Sequence, residues 1–313
     1  MKIPSRKALE QARGNPGRKY PARDDPRCVD GMLVPSLRPR FRLDPSQPVF
    51  TIGSCFAREI EEVLIRRGVP LPTREFTVPK SEWPYRPSGL LNEYNPGSMR
   101  QRICAALSGQ AYPEATGIAS GSDVIDLLLA MGPAVSPERF RARRADIDRV
   151  YAQLGRAGVI VITLGLAEAW YDNETEFYLN RMPPASELKA QKGRFTFVRF
   201  DYEAVCEQIG QALGMLVDAW PRARVLLTVS PVPLEATFTD VDAVIANGYS
   251  KAVLRACATQ MAARFSQVDY FPSYEMIVSA GPAALKADNV HVTDAAVERV
   301  MQVLLANYVD APA

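Results

Sequence analysis

The chain has 313 residues, 47% of them apolar and 23% charged, with a formal net charge of +2. That is enough to bury a full core as one large α/β domain or two smaller ones, in the composition of a soluble globular protein. So small a net charge argues against nucleic acid or a membrane surface as partner of the whole chain, and no apolar run approaches the roughly 18–20 residues needed to cross a bilayer. The first seven residues lack the apolar core of a signal peptide, so a cytoplasmic protein is expected. Five scattered cysteines (Cys28, Cys55, Cys104, Cys206, Cys257) lack the short spacings of a zinc knuckle or redox pair and read as reduced thiols. There is one histidine, His291, which excludes a zinc site built on several histidines. Neither a metal nor a cofactor is expected.

Residues 1–48 hold eight of the 25 prolines and many Arg and Lys residues. This reads as an extended arm draped on the domain, unable to sustain helix or sheet. Solvation explains its charge, with an acidic partner or phosphorylated substrate as the other reading. Residues 49–313 form the expected domain, with a loop and helical insertion at about 70–157. At its start, Val49-Phe50-Thr51-Ile52 is a β-prone run that breaks at Gly53-Ser54-Cys55. Phe56, Ile60, Val63 and Leu64 then fall on one face of a helix, with Glu59, Glu61, Glu62, Arg66 and Arg67 on the other. Strand, tight turn and helix lift a small nucleophile above a sheet edge, at the positive end of a helix dipole.

The loop that follows is rich in Pro and aromatics and suits the lining of a site, with Asn92, Asn95 and Ser98 as its polar residues. Residues 99–157 read mostly as helix, Ser136 and Pro137 marking one N-terminus. Arg139, Arg141, Arg143 and Arg144 read as a solvated stripe. The β-branched run at 159–164 predicts a strand covered on both faces, and Gly165 and Glu168 follow its carboxyl end, where open α/β sheets place their chemistry. A hairpin is expected within 177–199, turning at Lys192-Gly193. Helices are predicted over 202–220, 249–265 and 294–308, and strands over 225–229 and 268–271. Alternating strands and helices predict a three-layer α/β/α sandwich with a mainly parallel, flavodoxin-like sheet.

Several strand ends carry reactive or polar groups: Ser54 and Cys55, Gly165 with Glu168, Ser230, and Glu275. Asp288 stands three residues before His291, close enough for one loop to carry a base and the carboxylate that fixes its tautomer. Cys55 at a helix N-terminus is placed where a thiolate is favoured. The other four cysteines have no such context.

These residues resemble the GSCFA family, whose naming motif stands here as Gly53-Ser54-Cys55-Phe56-Ala57. The likeness continues through residues 163–170, 228–234 and 270–275 and Asp288-Asn289-Val290-His291, covering about 49–300. The family is similar to the SGNH (GDSL-type) hydrolases, which carry a nucleophilic Ser in Gly-Asp-Ser, a Gly-x-Asn-Asp block, and Asp-x-x-His near the C-terminus. The resemblance implies an SGNH-like three-layer fold and acyl-ester hydrolysis or acyl transfer, often on carbohydrate. In that register Cys55 takes the nucleophile's place, and Asp288 and His291 match Asp-x-x-His. Ala167 stands where the family's oxyanion Asn would be, leaving backbone N–H groups or a side chain such as Asn95 to serve the oxyanion.

Three readings follow. The first is a Cys55–His291–Asp288 hydrolase or acyltransferase acting on a small-molecule or saccharide ester. The second makes Ser54 the nucleophile. The third is a non-catalytic binding module on a degenerate SGNH-like fold. Oxyanion or substrate contacts are assigned to Ser54, Asn95, Gly165, Glu168, Ser230 and Glu275.

Overall fold

In the computed structural model, which describes residues 2–310, four short apolar runs pair side by side as strands. They are β1 (Val49–Gly53), β2 (Val159–Leu164), β3 (Arg224–Val229) and β4 (Val268–Phe271), in the spatial order β4-β3-β2-β1. Every neighbouring pair is parallel, with Val49 opposite Val159 and Val225 opposite both Ile160 and Val268. Side chains alternate between the faces. Phe50, Ile52, Ile160, Ile162, Leu164, Leu227 and Val229 enter one core, while Val49, Val159, Val161, Leu226 and Phe271 enter the other. Both cores are apolar, which is why the runs read as continuous rather than alternating.

Helices close both faces. The first core is covered by α2 (Pro96–Ser108), α3 (Pro137–Tyr151), α4 (Tyr202–Ala219) and α5 (Ala243–Arg264). The second is covered by α1 (Cys55–Arg66), α6 (Ser273–Ala280) and α7 (Asp294–Tyr308). The predicted α/β/α layering is the observed one. None of the described helices is long and apolar enough to cross a membrane.

Four expectations are corrected. The arm contains a helix, Ser5–Arg13, because Pro4 and Pro16 leave a proline-free window with good helix formers between them. It also contains a two-residue hairpin, Cys28–Val29 with Met32–Leu33. The arm is nonetheless draped on the domain: Met32 and Leu43 are buried, and the Arg40 guanidinium donates to the carbonyls of Ala262, Phe265 and Val268. Residues 99–157 are interrupted by an antiparallel hairpin, Gly117–Ser120 with Asp123–Asp126, whose tight turn at Gly121 favours strand pairing over helix. Arg143 and Arg144 are buried rather than solvated, Arg144 gripping Asp126 in a two-pronged pair at 2.7 and 2.9 Å. Finally, 177–199 is not a hairpin. Phe177–Leu179 and Phe195–Arg199 flank a third strand, Glu168–Asp172, in a separate antiparallel sheet.

Candidate active site

The site begins with a glycine that no other residue could replace. Gly53 ends β1 with φ +135°, and a Cβ there would run into the Thr163 carbonyl of β2. This close approach lets the Ser54 N–H reach the Thr163 carbonyl at 3.3 Å while the chain turns upward into α1. Ser54 is the N-cap residue in extended conformation and Cys55 the first helical residue. The two neighbours differ in outlook. The Ser54 hydroxyl is buried without a hydrogen-bond partner among the described residues, whereas Cys55 is half-buried and lines a cavity of about 360 Å³.

Beneath the turn, α1 is fastened by a polar knot that the amphipathic pattern conceals. Glu61, fully buried, accepts from Thr51, Arg58 and Thr73, the last at 2.6 Å, and from Ser88 at 3.2 Å. Its partner Arg58 is also buried, so the charge expected on the helix's wet face is turned inward and paired. The knot ties β1, α1 and the Pro-rich loop together.

The cavity opens over the carboxyl ends of the strands, where parallel sheets gather their loops. One wall is the antiparallel sheet, contributing Glu168, Ala169, Trp170, Leu179 and Phe197. The other is residues 232–236 and Phe238 of the loop after β3. Trp170, Phe197 and Phe238 pack mutually, with ring centroids 5.2–5.8 Å apart. A larger concavity of about 730 Å³ lies at the opposite pole, against the amino ends of β1–β3. It is bordered by Arg42, Gln47, Gly158, Trp220 and Arg224 and contains no Cys, His or Ser.

His291 borders the same cavity as Cys55. Its ring Nδ1 faces Asp288 Oδ2 at 2.7 Å, while Asp288 Oδ1 accepts the backbone N–H groups of Val290 and His291, both at 2.9 Å. Asn289 takes the left-handed conformation, φ +55°, that closes this four-residue turn. The bonds from His291 and from the turn's N–H groups hold the Asp288 carboxyl well below the usual carboxylate range. In the neutral ring, an Nδ1–H directed at Asp288 leaves the lone pair on Nε2. The turn is exposed and leads into α7 through Thr293, whose hydroxyl caps that helix.

The electrostatics of Cys55 differ from those expected of an open helix N-terminus. Burial pushes the Cys55 thiol up; the charge of Lys251, the Phe56 N–H and the Tyr94 hydroxyl pull it down, and Glu59 pushes it up. Lys251 is 1% exposed, and its ammonium donates to the Gly165 carbonyl at 2.7 Å. Burial draws Lys251 down to about 7, with Cys55 opposing the fall. Burial also raises Tyr94, whose hydroxyl accepts from Asn92 Nδ2 at 3.3 Å.

Lys251 and Tyr94 were not singled out from sequence. For Lys251 the signal was available: it is the one charged residue set among Ala246, Ser250, Val253, Leu254 and Cys257, the buried stripe of α5. Nothing local marks Tyr94, which reaches the thiol only because Glu93 N–H pairs with the Gly53 carbonyl and draws the loop over the turn.

The structure separates the remaining predicted contacts. Asn95 borders the cavity, but Oδ1 caps α2 through Ser98 N–H at 2.8 Å and Nδ2 donates to the Leu179 carbonyl at 3.0 Å. Asn95 is thus a helix cap, with one of its two Nδ2 hydrogens engaged by Leu179. Gly165 lies behind the turn, where a Cβ would come within 2.6 Å of the Tyr94 carbonyl and 3.3 Å of Ser54 Cβ. Glu168 is in the cavity wall and accepts from Thr237 at 2.8 Å. Ser230 is buried beneath it, its hydroxyl accepting from Val232 N–H at 3.3 Å. Glu275 is elsewhere, paired with Arg255 and accepting from the Tyr270 hydroxyl at 2.8 Å. It is an ion-pair partner on the surface of α6, outside the cavity. Among the described residues no group of three His, Cys, Asp or Glu side chains is placed to hold a metal ion.

A search of curated proteins found no match. Among solved structures, the chain is similar to a Clostridium thermocellum family 3 carbohydrate esterase, at 8% identity and TM-score 0.38, over 83% of this chain and 94% of that one. It is similar to a carbohydrate esterase family 2 enzyme from Corynascus thermopiles (Myceliophthora fergusii), at 14% identity and TM-score 0.34, over 87% of this chain and 67% of that one. An acetyl-xylooligosaccharide esterase mutant from Geobacillus Stearmophilus is similar at 10% identity and TM-score 0.33, over 87% and 100%. The model of the GSCFA family matches residues 48–304, which span every strand of the central sheet and all of the cavity's walls, and the chain belongs to that family.

Proposed function

We propose that the protein is an acyl-ester hydrolase or acyltransferase that uses Cys55 as nucleophile, His291 as base and Asp288 as the carboxylate orienting it. The observation that carries this reading is the shared cavity: Cys55 and His291 both border it, and His291 is already held by Asp288 at 2.7 Å. His291 Nε2 takes the thiol proton as Cys55 Sγ attacks the ester carbonyl. Collapse of the tetrahedral adduct breaks the carbon–oxygen bond, and the departing alcohol recovers the proton from His291. The resulting thioester passes its acyl group to water or to an acceptor hydroxyl that His291 deprotonates in turn. The backbone N–H of Cys55, at the head of α1, faces the developing oxyanion. The Trp170–Phe197–Phe238 wall takes the acyl group and the flat face of a saccharide.

The unpartnered, enclosed hydroxyl of Ser54 supports Cys55 over its neighbour. On short acyl esters, Cys55→Ala is expected to lose at least about 10³-fold in kcat/KM, and Ser54→Ala to stay within about threefold. A thiol-directed probe followed by peptide mapping is expected to label Cys55. Full activity in Cys55→Ala, or label confined to Cys104 or Cys206, would end this reading. A second reading, a saccharide-binding module without catalysis, draws on His291 being bonded to Asp288 and, among the described residues, not to Cys55. Saccharide binding by both wild type and Cys55→Ala, with no turnover by either, would select it.

A further inference from the structure

The Gly165-Leu166-Ala167 segment stands where a side-chain donor is missing, and it is clamped from behind by two consecutive residues of α5. The Ser250 hydroxyl accepts the Ala167 N–H at 2.8 Å, and Lys251 Nζ donates to the Gly165 carbonyl at 2.7 Å. From the other side the segment packs on the nucleophile turn: Leu166 N–H donates to the Tyr94 carbonyl at 2.9 Å, and Gly165 lies against Ser54. Lys251 is therefore one thin backbone layer behind Cys55, in the dry interior. An ammonium has three donors, and a buried one is costly unless an anion compensates it. No carboxylate bonds Lys251 among the described residues, and the group whose charge acts on it is Cys55.

We propose that Lys251 is the positioning residue that sets the charge of Cys55: its buried ammonium holds the thiolate from behind while fixing the Gly165–Ala167 segment that frames the reaction. The inference rests on Cys55 as the reactive thiol. It assigns to α5 a part that neither the Asp288–His291 turn nor the helix dipole supplies. Burial keeps the resting sulfur a thiol, and the thiolate that forms as His291 takes its proton is the form the Lys251 ammonium holds. The other groups facing the thiol are Tyr94 from the overlying loop, Glu59 one turn along α1, and His291 across the cavity.

The test needs no substrate. The rate of Cys55 alkylation by iodoacetamide is measured against pH in wild type, Lys251→Met and His291→Gln, all in a background where the other four cysteines are serine. Loss of Lys251 is expected to move the midpoint upward by about one pH unit or more and to slow alkylation near pH 7 by about tenfold, with the high-pH plateau kept. His291→Gln is expected to move it less. The reciprocal measurement uses a variant whose core is untouched: in Cys55→Ala, the Lys251 titration followed by NMR of its Cε is expected to shift to lower pH, as linkage requires. An alkylation profile indifferent to Lys251, or a Lys251 midpoint indifferent to Cys55, overturns the proposal. Failure of every ester to turn over would instead sink the hydrolase reading and leave this coupling standing.

Discussion

The two halves of the site are built in opposite ways. The Cys55 half is interior architecture: Gly53 wedged against Thr163, the Glu61–Arg58 knot in the adjoining helix, and Lys251 sealed in the core. The His291 half is a four-residue turn on the surface, with Asp288 bonded to two backbone N–H groups and to the imidazole ring. Changes in the first half therefore act on folding and reactivity together. Changes in the second act on reactivity alone, because an exposed turn contributes little to global stability.

The largest expected effect lies in the buried half and is one of stability. Lys251 titrates at 10.5 in the unfolded chain and at about 7 in the folded one. Between those values the unfolded chain holds a proton that the folded protein has lost, so stability rises with pH across that window and is lowest below it. Lys251→Met removes the effect. In urea unfolding, the rise of wild-type stability across that window, on the order of a few kcal/mol, is expected to be absent from the variant. Equal pH dependence in the two proteins would mean that Lys251 is not sealed as described, and the contrast between the halves would weaken.

In the exposed half, His291→Gln is expected to lower kcat/KM on a short acyl ester by about 10²–10⁴-fold while thermal unfolding stays within about 0.5 kcal/mol of wild type. A comparable loss of stability would break the comparison, since it would make the turn part of the fold's support. Asp288→Asn is the smallest change. It keeps the turn's backbone acceptor but loses the charge facing Nδ1, for an expected loss of about 10–100-fold at unchanged stability. Because the Asp288 carboxyl is held below the ordinary carboxylate range, its contribution is present above that range and is lost only as pH falls well into acid. Wild-type activity is therefore expected to show no acid limb from Asp288 between pH 5 and 8.

Much of this was legible in the order of residues. The β1–turn–α1 unit and the Asp288–His291 turn are local: their hydrogen bonds close within a few residues, so glycine placement, helical periodicity and a carboxylate three positions before a histidine suffice to specify them. The four parallel strands were legible for the same reason, since burial on both faces leaves a continuous β-branched run. The same local signals misled where packing between distant segments decides the outcome. Arg143 and Arg144 look like a wet stripe until Asp126 and Glu82 arrive from other segments to neutralise them. Glu168 looks like part of a catalytic loop until Phe195–Arg199 pairs with it as a strand.

The turn of Ser54 and Cys55 divides between the two sources. By itself the sequence determined that Ser54 and Cys55 would stand at a sheet edge, on a helix N-terminus, in a chain with one histidine. Tertiary structure decided which neighbour faces the cavity, because the Thr163 carbonyl and the overlying Tyr94 loop turn Ser54 inward and leave Cys55 at the wall. It also decided the charge at the site. Lys251 is nearly two hundred residues away along the chain, and only the packing of α5 against the Gly165 loop brings its ammonium, stripped of water, within reach of the sulfur. Charge acts through space at low dielectric, and no local pattern records what will be folded beside it.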